Sequence, residues 1–135
     1  MIIGIGTDLM DIRRIEKAME RFPDRFMKRI LTPAECAYVE MRKKTKLERI
    51  AKFYATKEAA FKALGADRKH GISWQDFQIS YTPNGQPQLT LEGEAKSFLY
   101  RKLSKGLMPS IHLSLTDEYP YAQAFVVIEA APAII

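Results

Sequence analysis

Hydrophobic and polar positions follow two different rhythms along this chain, and the change falls near residue 71. Residues 1–7 read as a short strand in which Gly4 and Gly6 alternate with β-branched residues, leaving room for another backbone or a ligand. Asp8 follows at the end of that strand. Residues 11–20 predict a basic helix that Phe22-Pro23-Asp24 breaks, and a short helical piece continues to Arg29 or Ile30. Thr32-Pro33-Ala34-Glu35 is a helix start, with Thr32 as cap, Pro33 at the first helical position and Glu35 closing a capping box over a helix-like stretch at 33–41. A long helix is predicted over 46–64, stopped by Gly65.

Beyond Gly71 the period shortens. Residues 74–81 alternate weakly, Pro83-Asn84-Gly85-Gln86-Pro87 makes a turn, and 88–91 returns as a strand. Residues 92–105 predict an amphipathic helix ended by Gly106. Residues 111–116 alternate strictly, with Ile111, Leu113 and Leu115 on one face and His112, Ser114 and Thr116 on the other. Tyr119-Pro120-Tyr121 reverses the chain into an apolar strand at 122–128. Helices and strands segregate rather than alternate, which predicts an α+β fold, an antiparallel sheet packed with helices in one small domain.

The long helix contains an anomaly. At about 100° per residue, Leu47, Ile50, Ala51, Tyr54 and Phe61 share one face, and Glu58 falls in the middle of it. The other side carries Glu48, Arg49, Lys52, Thr56, Ala59 and Ala63. A carboxylate on an apolar stripe needs compensation. Two are open: an ion pair with Lys62 at i,i+4, which periodicity by itself favours, or a hard cation suited to carboxylate oxygen. Asp8 has the same ambiguity. It can cap the following helix with Asp11 three positions on, or stand as a ligand carboxylate beside two glycines.

Composition narrows the classes. The chain has 135 residues, 47% hydrophobic and 27% charged, enough for one packed core and unlike a disordered chain. The lone Cys36 closes no internal disulfide and reads as a buried, inert thiol. The first residues lack the basic start of a signal peptide, and the apolar stretch at 122–135, interrupted by Glu129 and Pro132, is too short to span a membrane. A cytoplasmic protein is the expectation. The net charge of +5 is uneven: residues 1–70 hold 17 Lys/Arg against 10 Asp/Glu, and the remainder 4 against 6. A basic half points to an anionic partner: nucleic acid, a phosphate-rich cofactor or an acidic protein.

Five stretches together resemble one family. Gly4-Ile5-Gly6-Thr7-Asp8-Leu9 through Arg14-Ile15 is similar to its opening signature, and Arg25-Phe26-Met27-Lys28-Arg29-Ile30-Leu31-Thr32-Pro33-Ala34-Glu35 to its second block. Tyr54-Ala55-Thr56-Lys57-Glu58-Ala59-Ala60-Phe61-Lys62-Ala63-Leu64-Gly65 resembles its most diagnostic motif. Gly85-Gln86-Pro87 and His112-Leu113-Ser114-Leu115-Thr116-Asp117-Glu118 resemble two later ones. Each is weak alone, but the ordered set is specific to holo-acyl-carrier-protein synthases, phosphopantetheinyl transferases.

The resemblance reverses both earlier preferences. It implies one phosphopantetheinyl transferase domain over 1–135 that moves phosphopantetheine from coenzyme A to a serine of an acidic acyl carrier protein. It implies that Asp8 and Glu58 share one Mg2+, and that Asp8, Glu58 and Lys62 are the catalytic set, with Lys62 at the phosphates. It implies coenzyme A contacts at Lys44, Arg49, Tyr54, Lys62, Gly65, Gly85, Pro87 and Thr116, and carrier docking through Arg14, Arg25 and Phe26. It also implies a homotrimer with sites shared between subunits, and neither nucleic acid nor membrane as partner.

Two positions depart from the family's pattern. Phe53 stands where an Arg is frequent, so a phosphate contact is lost or passes to Lys52 or Arg49. Asp117 replaces a frequent His. The competing readings are a small basic nucleic-acid-binding domain, which no motif supports and which leaves Glu58 unexplained, and a carrier-binding protein without catalysis, in which Asp8 and Glu58 would be idle.

Overall fold

Asp11 is where the first strand becomes a helix. Its carboxylate accepts the Arg13 backbone N–H at 2.9 Å and the Arg13 guanidinium at 2.7 and 2.9 Å. That guanidinium holds the Asp11 carboxyl down at about 2. In the computed structural model, which describes residues 1–133, β1 (Ile2–Asp11) runs into α1 (Ile12–Arg21), α2 (Pro23–Ile30), α3 (Pro33–Glu40) and α4 (Lys46–Leu64). The second half holds β2 (Phe77–Tyr81), β3 (Pro87–Leu91), α5 (Gly93–Lys102), β4 (Leu107–Glu118) and β5 (Tyr121–Pro132). Strands β1, β5 and β4 form one antiparallel sheet in that order, and β2–β3 form a hairpin. The expected α+β fold with antiparallel strands and packed helices is the one found.

Helix boundaries follow their local chemistry. The Glu35 N–H donates to Thr32 Oγ1 at 3.2 Å and the Thr32 N–H donates to Glu35 Oε1 at 2.9 Å, so the capping box is complete. Gly65 ends α4 in the left-handed region at φ 70°. Helix α5 stops earlier than expected, because Leu103 is already extended. Strand β1 is longer than expected, since β5 offers it ladder partners up to Tyr121. Asp8 therefore lies inside the strand opposite Ala124, and the cap is Asp11. Cys36 is half-buried, with burial pushing its thiol up. Residues 134 and 135 of the predicted apolar stretch lie outside the described residues.

The packing of α4 buries Ile50 and Ala51 of the face that periodicity suggests, and extends burial to the side read as polar. A Cβ on Gly4 would stand 1.9 Å from the Ala63 carbonyl oxygen, and one on Gly6 1.8 Å from that of Ala59. The two glycines thus let the helix backbone lie directly on β1. Thr56, Ala59 and Ala63, assigned above to the polar side, are buried, as are Phe53 and Ala55. Small side chains allow the closest approach, so their face meets the sheet. The large residues Tyr54 and Phe61 are half-buried and flank Glu58 on the open side.

Candidate active site

Alternation along β1 sends Thr7 to the outer face of the sheet and Asp8 toward α4. There Lys62 Nζ donates to the Thr7 carbonyl at 3.0 Å and to Asp8 Oδ1 at 3.1 Å. The Asp8 side chain is 16% exposed. Its second oxygen, Oδ2, is buried with no hydrogen-bond partner. The i,i+4 ion pair between Glu58 and Lys62 does not form; Lys62 turns to Asp8 instead. Burial raises the Glu58 carboxyl above its ordinary value, and the nearby Asp8 charge raises it further, against Lys62, Arg14 and Arg68.

This donor set fits a hard divalent cation. Two carboxylates come from separate elements, one with a buried, unpartnered oxygen, and Mg2+ takes few protein ligands while keeping several waters. Among the described residues no cluster of three or more His, Cys, Asp or Glu could form an all-protein metal cage.

Glu58 opens into a cleft of about 520 Å³. Tyr54, Phe61, Ile72 and Trp74 form its apolar wall, and Arg29, Arg68 and Ser73 its polar rim. Burial pushes the Tyr54 phenol up, helped by the Glu58 charge. Phe26 meets Tyr54 edge-on at 6.2 Å, and Arg14 is close enough to act on both Tyr54 and Glu58. Arg25 sits 5.8 Å from the Phe22 ring. Sequence reasoning missed Arg29 and Arg68. Arg29 belongs to a stretch already singled out, but nothing in the pattern separates Arg68 from a solvated surface charge.

The remaining implied residues gather elsewhere. Arg49 donates to Thr45 Oγ1 at 2.8 Å and to the Tyr38 hydroxyl at 2.9 Å. The Tyr38 ring stacks on Tyr81 at 5.1 Å and carries the Arg42 guanidinium at 3.7 Å. Burial pushes the Tyr81 hydroxyl up to about 12. Tyr81 pairs with Pro87 at the end of the β2–β3 hairpin whose turn holds Gly85. By helix rise, Arg49 lies roughly 14 Å along the α4 axis from Glu58, and Lys44 precedes the helix. Thr116 pairs with Gln123 on the outer face of the sheet, away from Asp8.

The structure thus brings Lys62 to Asp8 near Glu58 and Tyr54, while Arg49 lies toward the start of α4 against Tyr38, whose ring stacks on Tyr81, and Thr116 stands on the outer face of the sheet. Of the two side chains named as substitutes for the missing Arg at Phe53, Lys52 pairs with Asp117 at 3.0 Å and Arg49 is held by Thr45 and Tyr38. His112 lies 2.7 Å from Glu129 on the outer face, a satisfied surface pair.

Residues 4–124 match the 4'-phosphopantetheinyl transferase superfamily. The chain is 47% identical over 134 residues to a holo-acyl-carrier-protein synthase of Paramagnetospirillum magneticum, covering 98% of this chain and 100% of that one. It is 50% identical over 132 residues to that of Caulobacter vibrioides, with 98% of each covered. Among solved structures, the synthase of Neisseria meningitidis superposes with a TM-score of 0.83 at 32% identity, covering 96% of this chain and 99% of that one. The Helicobacter pylori synthase, solved in complex with coenzyme A, gives 0.77 at 34% identity over 93% and 99%.

Proposed function

The chain belongs to the 4'-phosphopantetheinyl transferase superfamily, and from that premise we propose that it is a holo-acyl-carrier-protein synthase. It transfers phosphopantetheine from coenzyme A to a serine of an apo acyl carrier protein and releases adenosine 3',5'-bisphosphate. One observation supports the reading: Lys62 holds one Asp8 oxygen at 3.1 Å, the other Asp8 oxygen is buried without a partner, and the Asp8 charge acts on Glu58, which lines the cleft.

Asp8 and Glu58 would hold Mg2+, which when bound supplies charge neutralisation at the diphosphate of coenzyme A. Lys62 places its ammonium beside Asp8 and would offset charge on the leaving phosphate. The serine oxygen forms the new bond to the β-phosphorus while the bond from that phosphorus to the bisphosphate oxygen breaks. Tyr54, Phe61 and Trp74 offer the pantetheine arm an apolar wall that excludes water. Arg14, Arg25 and Phe26, with Arg29 and Arg68 at the rim, face an acidic carrier, where charge chiefly raises the association rate.

The separation of the implied residues favours a homotrimer with shared sites. In it, the Asp8–Glu58–Lys62 group of one copy meets Lys44, Arg49, Gly85, Pro87 and Thr116 of the next. The outer sheet face exposes Ile5 (56%), Leu9 (62%) and Phe125 (44%), an apolar surface suited to such contacts. The whole chain then acts as one transferase domain in the cytoplasm. Among the described residues no helix is long and apolar enough to cross a membrane. The test is direct: incubate the protein with coenzyme A, Mg2+ and an apo carrier protein. A phosphopantetheine mass increase on the carrier supports the reading, and an unmodified carrier refutes it.

A further inference from the structure

Beneath the cleft lies a charged pair that the transfer chemistry does not use. Lys57 is 0% exposed and Glu35 1%, both deep among apolar residues. Lys57 Nζ donates to Glu35 Oε1 at 2.7 Å and to the Trp74 carbonyl at 3.0 Å. Glu35 also accepts the Thr32 N–H on Oε1 at 2.9 Å and the Ile79 N–H on Oε2 at 2.7 Å. One ion pair thus ties together the start of α3, the middle of α4, the 3₁₀ turn at Trp74–Asp76 and strand β2.

Stability alone does not require this arrangement. Replacing both partners of a buried ion pair by apolar groups of similar volume is often neutral or stabilising. What an apolar pair cannot supply is a directed bond to the Trp74 carbonyl. Trp74 is the wall of the cleft: its ring lies 5.9 Å from Tyr54 and 5.8 Å from Phe61. Those residues stand four before and three after Glu58 on α4. Lys57 adjoins Glu58 in sequence and points to the opposite side of the wall. The backbone that carries Glu58 and the backbone that carries Trp74 are joined through this one side chain. From the far side, Gln75 Nε2 donates to the Lys28 and Leu31 carbonyls at 2.9 and 2.6 Å, so the turn is gripped at both ends.

We infer that Glu35 and Lys57 are positioning residues for the transfer reaction, holding Trp74 against Tyr54 and Phe61 so that the apolar wall keeps a fixed distance from Glu58. The inference rests on the transferase reading. Neither residue touches the reacting groups. Their contribution is the alignment of those groups, where a displacement of about 1 Å can cost on the order of a hundredfold in rate.

Lys57→Met alone strands a buried carboxylate and is expected to unfold the protein, so the test uses the double variant Glu35→Gln/Lys57→Met. It is expected to melt below the wild type, because a glutamine at 35 offers one acceptor oxygen where the carboxylate gave the Thr32 and Ile79 N–H groups one each. It should stay folded at the assay temperature while kcat per folded molecule for carrier modification falls at least about tenfold. The KM for coenzyme A should stay within about threefold, since Asp8, Glu58 and Lys62, proposed to hold its diphosphate, keep their side chains. Trp74 is the chain's one tryptophan. Its emission reports the wall without turnover and should shift to the red in the folded double variant. A folded double variant with kcat within about twofold of wild type, or with unmoved emission, overturns the inference. So does a double variant that cannot fold, which would make the pair structural. Wild-type protein in the same assay tests the transferase reading by itself: if it leaves the carrier unmodified, that reading has failed, whatever the emission does.

Discussion

Lys62 and Asp8, 54 positions apart, meet at 3.1 Å, and the contact uses only one of the two Asp8 carboxylate oxygens. The other is buried without a partner, although a buried carboxylate oxygen ordinarily finds a donor. A cation shared with Glu58 would resolve that deficit, and the proposed chemistry starts from it.

Chelating divalent metal should abolish transfer, and added Mg2+ should restore it. Asp8→Asn should weaken Mg2+ binding measured by calorimetry and lower the rate by at least about a hundredfold. Full activity in the presence of chelator would remove the metal from the proposal.

Glu58→Gln separates charge from packing, because the two side chains have nearly the same volume. Burial and Asp8 raise the Glu58 carboxyl in the folded state, so folding favours its protonated form. The stability linked to that proton is present below the unfolded carboxylate value and is lost as pH rises through the folded one. Without metal, the variant should therefore melt at or above the wild type at pH 7. The difference should vanish as pH falls toward the ordinary glutamate range. Transfer at saturating Mg2+ should fall by at least about a hundredfold. An early-melting variant with an unchanged rate per folded molecule would assign Glu58 to structure.

Lys62→Ala removes a cation that holds Asp8 Oδ1. Mg2+ should then bind the free protein more tightly while kcat falls, because the ammonium both competes for the carboxylate and serves the phosphates. Weaker metal binding in titration calorimetry would contradict the competition.

Arg14→Ala and Arg25→Ala should raise KM for the carrier and leave KM for coenzyme A near wild type. Added salt should reproduce the effect in the parent protein, since screening shortens the reach of surface charge. Equal losses for both substrates in steady-state kinetics would place these residues at the cofactor instead.

Gly6→Ala would set a methyl group 1.8 Å from the Ala59 carbonyl oxygen, so α4 must move off β1. A loss of about 1–3 kcal/mol in denaturant melts is expected. Activity should fall further than the folded fraction explains, because the shift separates Glu58 and Lys62 from Asp8. Wild-type stability would show that the helix can slide at no cost.

The local signals in this chain were sufficient where an element's ends are set by its own residues. Thr32-Pro33 with Glu35, Gly65 after Leu64, and the alternation of Ile111 to Thr116 each determine a boundary or a face through contacts within a few positions. The family motifs named the side chains proposed to bear the chemistry, and Glu58 stood out even from periodicity as a carboxylate on an apolar stripe. What the sequence could not decide is which side of α4 meets the sheet and which part of that stripe stays open. Gly4 and Gly6 draw the small-residue side of α4 onto β1, so Tyr54 and Phe61 become a cleft wall instead of core. The same contact brings Lys62 to Asp8 and leaves Glu58 without the local pair that its spacing suggested. The burial of Lys57 with Glu35 and the arrival of Arg68 at the rim are likewise tertiary outcomes. A charged side chain reads as surface along the chain, and only partners brought from distant segments satisfy it in the interior.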